Sequence, residues 1–169
     1  EILDLSVQAS KNSGVTITGA LDDAAACFLG GLVVTNNLSN ELLSRVIVDD
    51  DYSILIHVPD HKSYTKDVNY SGSDEFIHSL DTLISMTLEG NYLSAMSLNG
   101  MIYSRILKQS NESAILALKN NALAAGLSGT GPSVGVICLS ENKSSILDSW
   151  KNLDGDIITA KINNEKGLI

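Results

Sequence analysis

Apolar positions along this chain recur with two spacings, and each spacing marks a kind of element. Ile2, Leu5, Val7 and Ala9 begin an amphipathic pattern, so Leu3 to Asn12 reads as the end of a helix that Ser13-Gly14 stops, Gly14 suiting the left-handed residue beyond a helix end. Val15 to Thr18 is short and extended. Gly19-Ala20 then turns into a small-residue helix through Ala24, Ala25, Ala26, Cys27 and Phe28, which Gly30-Gly31 closes. Leu32 to Thr35 is strand-like. Leu42 to Val48 and Ser53 to Val58 are expected to form an antiparallel pair around the turn Asp49-Asp50-Asp51-Tyr52.

Helical spacing dominates the middle of the chain. Ser73 is the expected cap of a helix with Asp74 and Glu75 in its first turn, an apolar stripe of Phe76, Ile77, Leu80, Leu83, Ile84 and Leu88, and Gly90 beyond its end. Asn91 starts a second, striped by Leu93, Met96, Leu98, Met101, Ile102 and Ile106 and interrupted by Gly100. Asn111 starts a third, in which Ile115, Leu118, Ala122 and Ala125 lead into a glycine-rich loop. After that loop come a strand from Ser133 to Leu139, a helix near Lys143 to Trp150 and a strand from Asp156 to Ile162. The order ββ, helices, β, α, β predicts a layered α+β sandwich with an antiparallel sheet. The methionines read as core, and no internal repeat or low-complexity segment is present.

Composition narrows the partners. A chain of 169 residues that is 44% apolar can bury one good core, enough for one domain and part of another. The formal charge of −9 argues against nucleic acid or an anionic membrane and leaves a small substrate. No apolar run reaches the ~18 residues of a membrane span, and no charged-then-apolar leader opens the chain. Cys27 and Cys138 lie in apolar runs far apart, and read as buried thiols of a reducing compartment, hence cytoplasmic. The amphipathic pattern at Glu1 has no cap before it, so the chain is expected to be the carboxy-terminal portion of a longer protein.

The candidate chemistry centres on Gly126-Leu127-Ser128-Gly129-Thr130-Gly131-Pro132-Ser133. Its glycines let the backbone take positive φ and approach a ligand closely, while Ser128, Thr130 and Ser133 supply hydroxyls and successive N–H groups can cradle an anion such as phosphate; a tight structural connection is the other reading. It is neither a dinucleotide fingerprint, which follows a strand and opens a helix, nor a Walker loop, since Gly-Lys-Ser/Thr is absent. Asp22 and Asp23 form the second focus. Either could cap the helix that begins there, and two are more than a cap requires, which frees one to act as a base or to face a cation.

Other polar groups carry less. Asp49, Asp50 and Asp51 lack the alternate-position ligands and glycine of a calcium loop and read as a solvated turn. His57, His61 and His78 have no metal-site spacing, and none stands in motif form near a Ser or Cys nucleophile. The polar loop from Pro59 to Asp67 holds Lys62 and Lys66, which face either an anionic substrate or water.

The glycine loop and the segment Gly19-Ala20-Leu21-Asp22-Asp23 together resemble the third motif and the catalytic-aspartate segment of the GHMP superfamily of small-molecule kinases. Within it, Thr18-Gly19-Ala20-Leu21-Asp22-Asp23-Ala24, Leu29-Gly30-Gly31-Leu32-Val33-Val34-Thr35, Tyr64-Thr65-Lys66-Asp67-Val68 and the closing Ile162-Asn163-Asn164-Glu165-Lys166-Gly167 are most similar to the archaeal-type shikimate kinases. The resemblance covers essentially the whole chain. It implies a ferredoxin-like α/β sandwich with an antiparallel sheet, the GHMP kinase C-terminal domain, over residues 41–169, and the end of the N-terminal domain over residues 1–40.

It also implies transfer of the γ-phosphoryl group of ATP, with Mg²⁺, to a hydroxyl of shikimate. Asp22 would accept the substrate proton, with Asp23 as its supporting or magnesium-side neighbour and Gly19 and Ala20 beside the substrate. Gly126, Leu127, Ser128, Gly129, Thr130, Gly131 and Ser133 would close over the moving phosphoryl. Several relatives carry Asn where Asp23 stands, which leaves the division of labour within the pair open. A guanidinium is the natural partner of the shikimate carboxylate, and the candidates are the two arginines, Arg45 and Arg105, with Lys62 and Lys66 after them. The family's Pro-x-Ser-x-Gly-Leu-Gly-Ser-Ser motif would lie upstream of Glu1; the missing amino-terminal part would complete the active site, and this polypeptide alone is expected not to turn over. The competing readings are a homoserine kinase, which shares the Ser-Gly-x-Gly-Pro-Ser loop, and a non-catalytic ferredoxin-like domain that binds a small anion.

Overall fold

The computed structural model describes residues 1–16, 19–37, 39–61 and 76–167, and the chain divides into two compact units, residues 1–49 with 162–169 and residues 50–161. The expected cap Ser73 and its acidic neighbours Asp74 and Glu75 lie outside the described residues, as do Lys62 and Lys66. No helix among the described residues is long and apolar enough to cross a membrane.

The first unit contains α1 (Ile2–Asn12), α2 (Leu21–Leu29), β1 (Leu32–Asn36) and β2 (Glu41–Val46). Helix α1 ends as its sequence predicts, at Ser13, with Gly14 at φ +69°. Helix α2 buries Leu21 and Ala25, one turn apart, and turns Cys27 away, so that thiol is exposed. The expectation of two buried thiols fails at Cys27 because even an apolar helix keeps a solvent face. Strands β1 and β2 pair antiparallel from Leu32 opposite Val46 to Asn36 opposite Glu41, with an irregularity after Val34. The expected pairing of β2 with the following strand is not formed, because β1 supplies the partner.

The carboxy-terminal tail belongs to this unit and is tied to it by hydrogen bonds. Gly31 N–H donates to Asn163 O at 2.7 Å and Gly167 N–H to Phe28 O at 2.7 Å. The Asn164 side chain bonds Val48 as a paired strand would, donating from Nδ2 to its carbonyl at 2.8 Å and accepting from its N–H at 3.0 Å. A Cβ on Gly30, at φ +66°, would lie 2.6 Å from Glu165 O and 2.8 Å from Asn163 O, which is why glycine stands there.

The second unit runs β3 (Tyr52–Val58), α3 (Ile77–Leu88), α4 (Tyr92–Leu107), α5 (Glu112–Lys119), β4 (Ala122–Leu127), β5 (Val134–Leu139), α6 (Lys143–Ser149) and β6 (Asp156–Lys161), with a 3₁₀ turn at Ser140–Asn142. Its sheet has the order β4-β5-β3-β6, with every neighbouring pair antiparallel. Strand, helices, two strands, helix, strand is the split βαβ pattern of ferredoxin-like sandwiches, so the expected α+β class with an antiparallel sheet holds.

One element departs from its sequence pattern. Residues 122–125, expected at the end of the third helix, open strand β4, and the glycine-rich loop is the hairpin between β4 and β5. Alanine favours helix locally. Here the small residues serve close packing instead: a Cβ on Gly100 of α4 would fall on Gly126 Cα and 2.7 Å from Leu127 N, and the Ala125 N–H donates to Ser97 Oγ at 3.1 Å. Helix α4 thus satisfies a polar group of β4 that its strand partner does not reach.

Leu55, Val134, Val136, Cys138, Ile146 and Trp150 form the core of this unit with Ala114, Ala117 and Ala125. Trp150 meets the polar demand of its indole by donating from Nε1 to Ser113 O at 3.0 Å. Cys138 is buried as expected, and burial pushes its thiol pKa up.

Candidate functional site

The aspartate segment is built by a left-handed turn. Gly19 has φ +103° and Ala20 φ +50°, and the helix begins at Leu21, so Asp22 and Asp23 fall in its first turn. A Cβ on Gly19 would lie 2.6 Å from Val7 Cγ1 and 2.8 Å from Lys11 Cε, so α1 packs directly on the turn and requires glycine. Ala20 is the N-cap residue and no side chain makes a capping bond, which sets aside capping as the role of either aspartate. Both carboxylates are exposed at the positive end of the helix dipole. Loss of surrounding water, and then the charge of Asp22, raise the Asp23 carboxyl above its ordinary value.

Asp22 has a partner that its sequence neighbourhood does not reveal. Asn37 Nδ2 donates to Asp22 Oδ1 at 2.8 Å, and Thr35 Oγ1 donates to Asn37 Oδ1 at 2.8 Å. The only trace of this in the sequence is the Thr-x-Asn spacing at the end of a strand, which is too common to have pointed here.

Arg45 lies at the other end of α2. Its Nε donates to Leu29 O and Gly30 O, each at 3.0 Å, and its Nη2 to Asn164 O at 2.7 Å. Three carbonyl oxygens therefore occupy much of its guanidinium fork. Arg105, the other arginine, is exposed in the last turn of α4. Thus the structure brings Gly19, Ala20, Asp22 and Asp23 together in the first unit, whereas Gly126 to Ser133 and Arg105 belong to the second.

The glycine hairpin is compact. Ser128 N–H donates to Ser133 O at 2.8 Å and Gly131 N–H to Ser128 O at 2.9 Å, so two N–H groups of the expected anion cradle are used inside the loop. Gly129 stands at its tip, exposed, at φ +56°, with open space where a side chain would go. Gly131, at φ +77°, is held close: a Cβ there would lie 2.7 Å from Leu127 Cδ1 and 3.1 Å from Gln109 Cγ. The loop is thus braced at Gly131 and open at Gly129 and Ser128.

Residues 79–154 match the family described as GHMP kinases C terminal. This chain carries a GHMP kinase C-terminal domain. Solved structures agree on the fold of the domain and of the residues around it. A homoserine kinase from Cytophaga hutchinsonii superposes with a TM-score of 0.66 at 19% identity, covering 98% of this chain and 59% of its own. The mevalonate kinase of L. major, in complex with R-mevalonate, superposes with a TM-score of 0.61 at 16% identity, covering 90% of this chain and 54% of its own.

Sequence relatives reach beyond the GHMP kinase C-terminal domain. The shikimate kinase of Methanothermobacter thermautotrophicus is 38% identical over 165 residues, 98% of this chain and 57% of that protein. The shikimate kinase of Pyrococcus furiosus is 34% identical over 160 residues, 95% of this chain and 57% of that protein. The chain therefore spans little more than half the length of the curated relatives it matches.

Proposed function

We propose that the full-length protein transfers the γ-phosphoryl group of ATP to a hydroxyl of shikimate, with this chain supplying the carboxylate pair and the glycine hairpin. The observation that carries the reading is the similarity to shikimate kinases along nearly the whole chain, both segments included. In the reaction the acceptor oxygen forms a bond to the γ-phosphorus as the bond from that phosphorus to the β,γ-bridging oxygen breaks. ADP leaves, and the hydroxyl proton passes to Asp22.

The protein's part is positioning and charge. Asp22 orients the hydroxyl through one carboxylate oxygen, and Asp23 keeps a second negative charge beside it. The hairpin, open at Gly129 and Ser128, donates to the oxygens of the moving phosphoryl. Exposed carboxylates on adjacent residues are hard oxygen donors of the kind Mg²⁺ accepts, one or two at a time, with phosphate oxygens and water completing its shell. Bound there, Mg²⁺ would neutralise phosphate charge. Two free cysteines and a reaction that consumes ATP favour the cytoplasm as its compartment.

The test is ATP- and magnesium-dependent phosphorylation of shikimate by the full-length protein, wild type against Asp22→Asn, with homoserine offered in parallel. Turnover of shikimate that Asp22→Asn abolishes while folding and shikimate binding persist is the expected result. Turnover of homoserine alone would move the substrate, and turnover of neither alcohol would reject the reading.

A further inference from the structure

We propose that Thr35 and Asn37 form a positioning relay that fixes the orientation of the Asp22 carboxylate; the proposal rests on the reading of Asp22 as the proton acceptor. The relay runs from the end of β1 to the start of α2. Thr35 is the next-to-last residue of the strand, and Asn37 follows directly after it. A side-chain amide presents an oxygen on one side and an NH₂ on the other, and a carboxylate accepts bonds only from the NH₂. Asn37 turned the wrong way would set its oxygen against Asp22 and repel it. The carboxylate, an acceptor only, takes Asn37 Nδ2 on Asp22 Oδ1 at 2.8 Å, and the Thr35 hydroxyl anchors the other end of that amide by donating to Asn37 Oδ1 at 2.8 Å.

This matters because Asp22 is an exposed side chain at the start of a helix, where nothing in its own turn caps or holds it. An exposed carboxylate samples several rotamers, and each one that turns away from the acceptor hydroxyl is lost to catalysis. The amide occupies Oδ1 and commits Oδ2 to the acceptor. The irregularity in the β1–β2 ribbon after Val34 falls immediately before Thr35, where the local register that sets the aim of its side chain is decided. Thr35 and Asn37 do not touch substrate in this scheme; they act through Asp22.

The experiment is steady-state kinetics of the full-length protein with Thr35→Val, Thr35→Ser, Asn37→Ala and Thr35→Val/Asn37→Ala. Valine keeps the shape and β-branching of threonine but not the hydroxyl, so the strand stays intact. The expected result is a fall in kcat of about tenfold to a hundredfold for Asn37→Ala and a smaller fall for Thr35→Val, with KM for ATP and shikimate unchanged. Thr35→Ser, which keeps the hydroxyl, restores the rate, and Thr35→Val adds nothing in the Asn37→Ala background. Wild-type kcat in Thr35→Val, or losses that multiply in the double variant, would overturn the relay. If the wild type phosphorylates neither alcohol, the proposed function falls, and the relay is read separately by NMR. The Asn37 side-chain amide resonances should then shift in both Asp22→Asn and Thr35→Val, and resonances that stay in place would overturn it.

Discussion

At the start of α2 the positive end of the helix dipole favours carboxylates, yet the Asp23 carboxyl is raised above its ordinary value, because lost water and the neighbouring charge of Asp22 outweigh the dipole. The sign of the stability effect follows. As pH rises past the ordinary carboxylate range the unfolded chain gives up the Asp23 proton first, so the folded state binds more protons and stability falls until the folded carboxyl ionises too. Asp23→Asn should therefore melt with wild type in acid and above it at neutral pH, by less than about 1 kcal/mol because solvent screens the exposed group. Thermal melts at the two pH values check this, and a gap that shrinks toward neutrality would contradict it. Gly129 shows the opposite balance of space and conformation. Open space surrounds its Cα but its φ is +56°, so Gly129→Val meets no clash and pays about 1–2 kcal/mol in backbone strain. In the full-length protein, on the proposed function, that variant should stay folded and lose about a hundred- to a thousandfold in kcat, the scale of removing one donor to developing charge.

Between elements, contact faces are set by small and hydroxyl side chains more than by large apolar ones. Helix α4 buries Ala95, Ser97, Gly100, Ser104 and Ile106, whereas Leu98 from its expected stripe is 41% exposed. Helix α5 buries Ser113, Ala114 and Ala117, and the expected core residue Ile115 is 42% exposed. The buried hydroxyls of Ser97, Ser104 and Thr87 cost little because each finds a carbonyl one turn back, Ser97 Oγ donating to Leu93 O at 3.2 Å, Ser104 Oγ to Gly100 O at 2.7 Å and Thr87 Oγ1 to Leu83 O at 2.6 Å. Helical spacing thus located the helices but mis-aimed them, since hydropathy assigns no weight to closeness of approach. Gly100→Ala tests this directly. In an open helix it would gain stability, and here it should lose about 1–3 kcal/mol and displace the strand that leads into the glycine hairpin. Denaturant melts and kcat measure the two effects, and a stabilised variant would refute the packing argument.

On the scale of the molecule, the two units differ in how the chain builds them. Residues 50–161 are continuous, while the first unit needs residues from both ends of the chain. Arg45 links the end of α2 to Asn164, and Asn164 pairs with Val48, so the tail is a structural member of the unit that carries the aspartates. Arg45→Lys keeps the charge and loses the fork, and should destabilise this unit by about 1.5–3 kcal/mol. Hydrogen exchange should show the loss in residues 1–49 and leave β3 to β6 protected; equal loss in both units would argue against the assignment.

Local pattern was enough to determine the existence of most helices and strands, the end of α1 at Gly14 and the antiparallel α+β class, and it marked the two segments, Gly19 to Asp23 and Gly126 to Ser133, on which the proposed chemistry rests. Each of these depends on residues close together in sequence, through periodicity, turn conformation or motif. Tertiary structure decided the rest: that residues 122–127 extend as a strand under α4, that β2 pairs back to β1, that Cys27 faces water, that Arg45 is held by three carbonyls, and that Asn37 meets Asp22. These outcomes are settled by which backbones approach closely and which polar groups then need partners. Such contacts join residues as far apart as Arg45 and Asn164, and no window along the chain contains both.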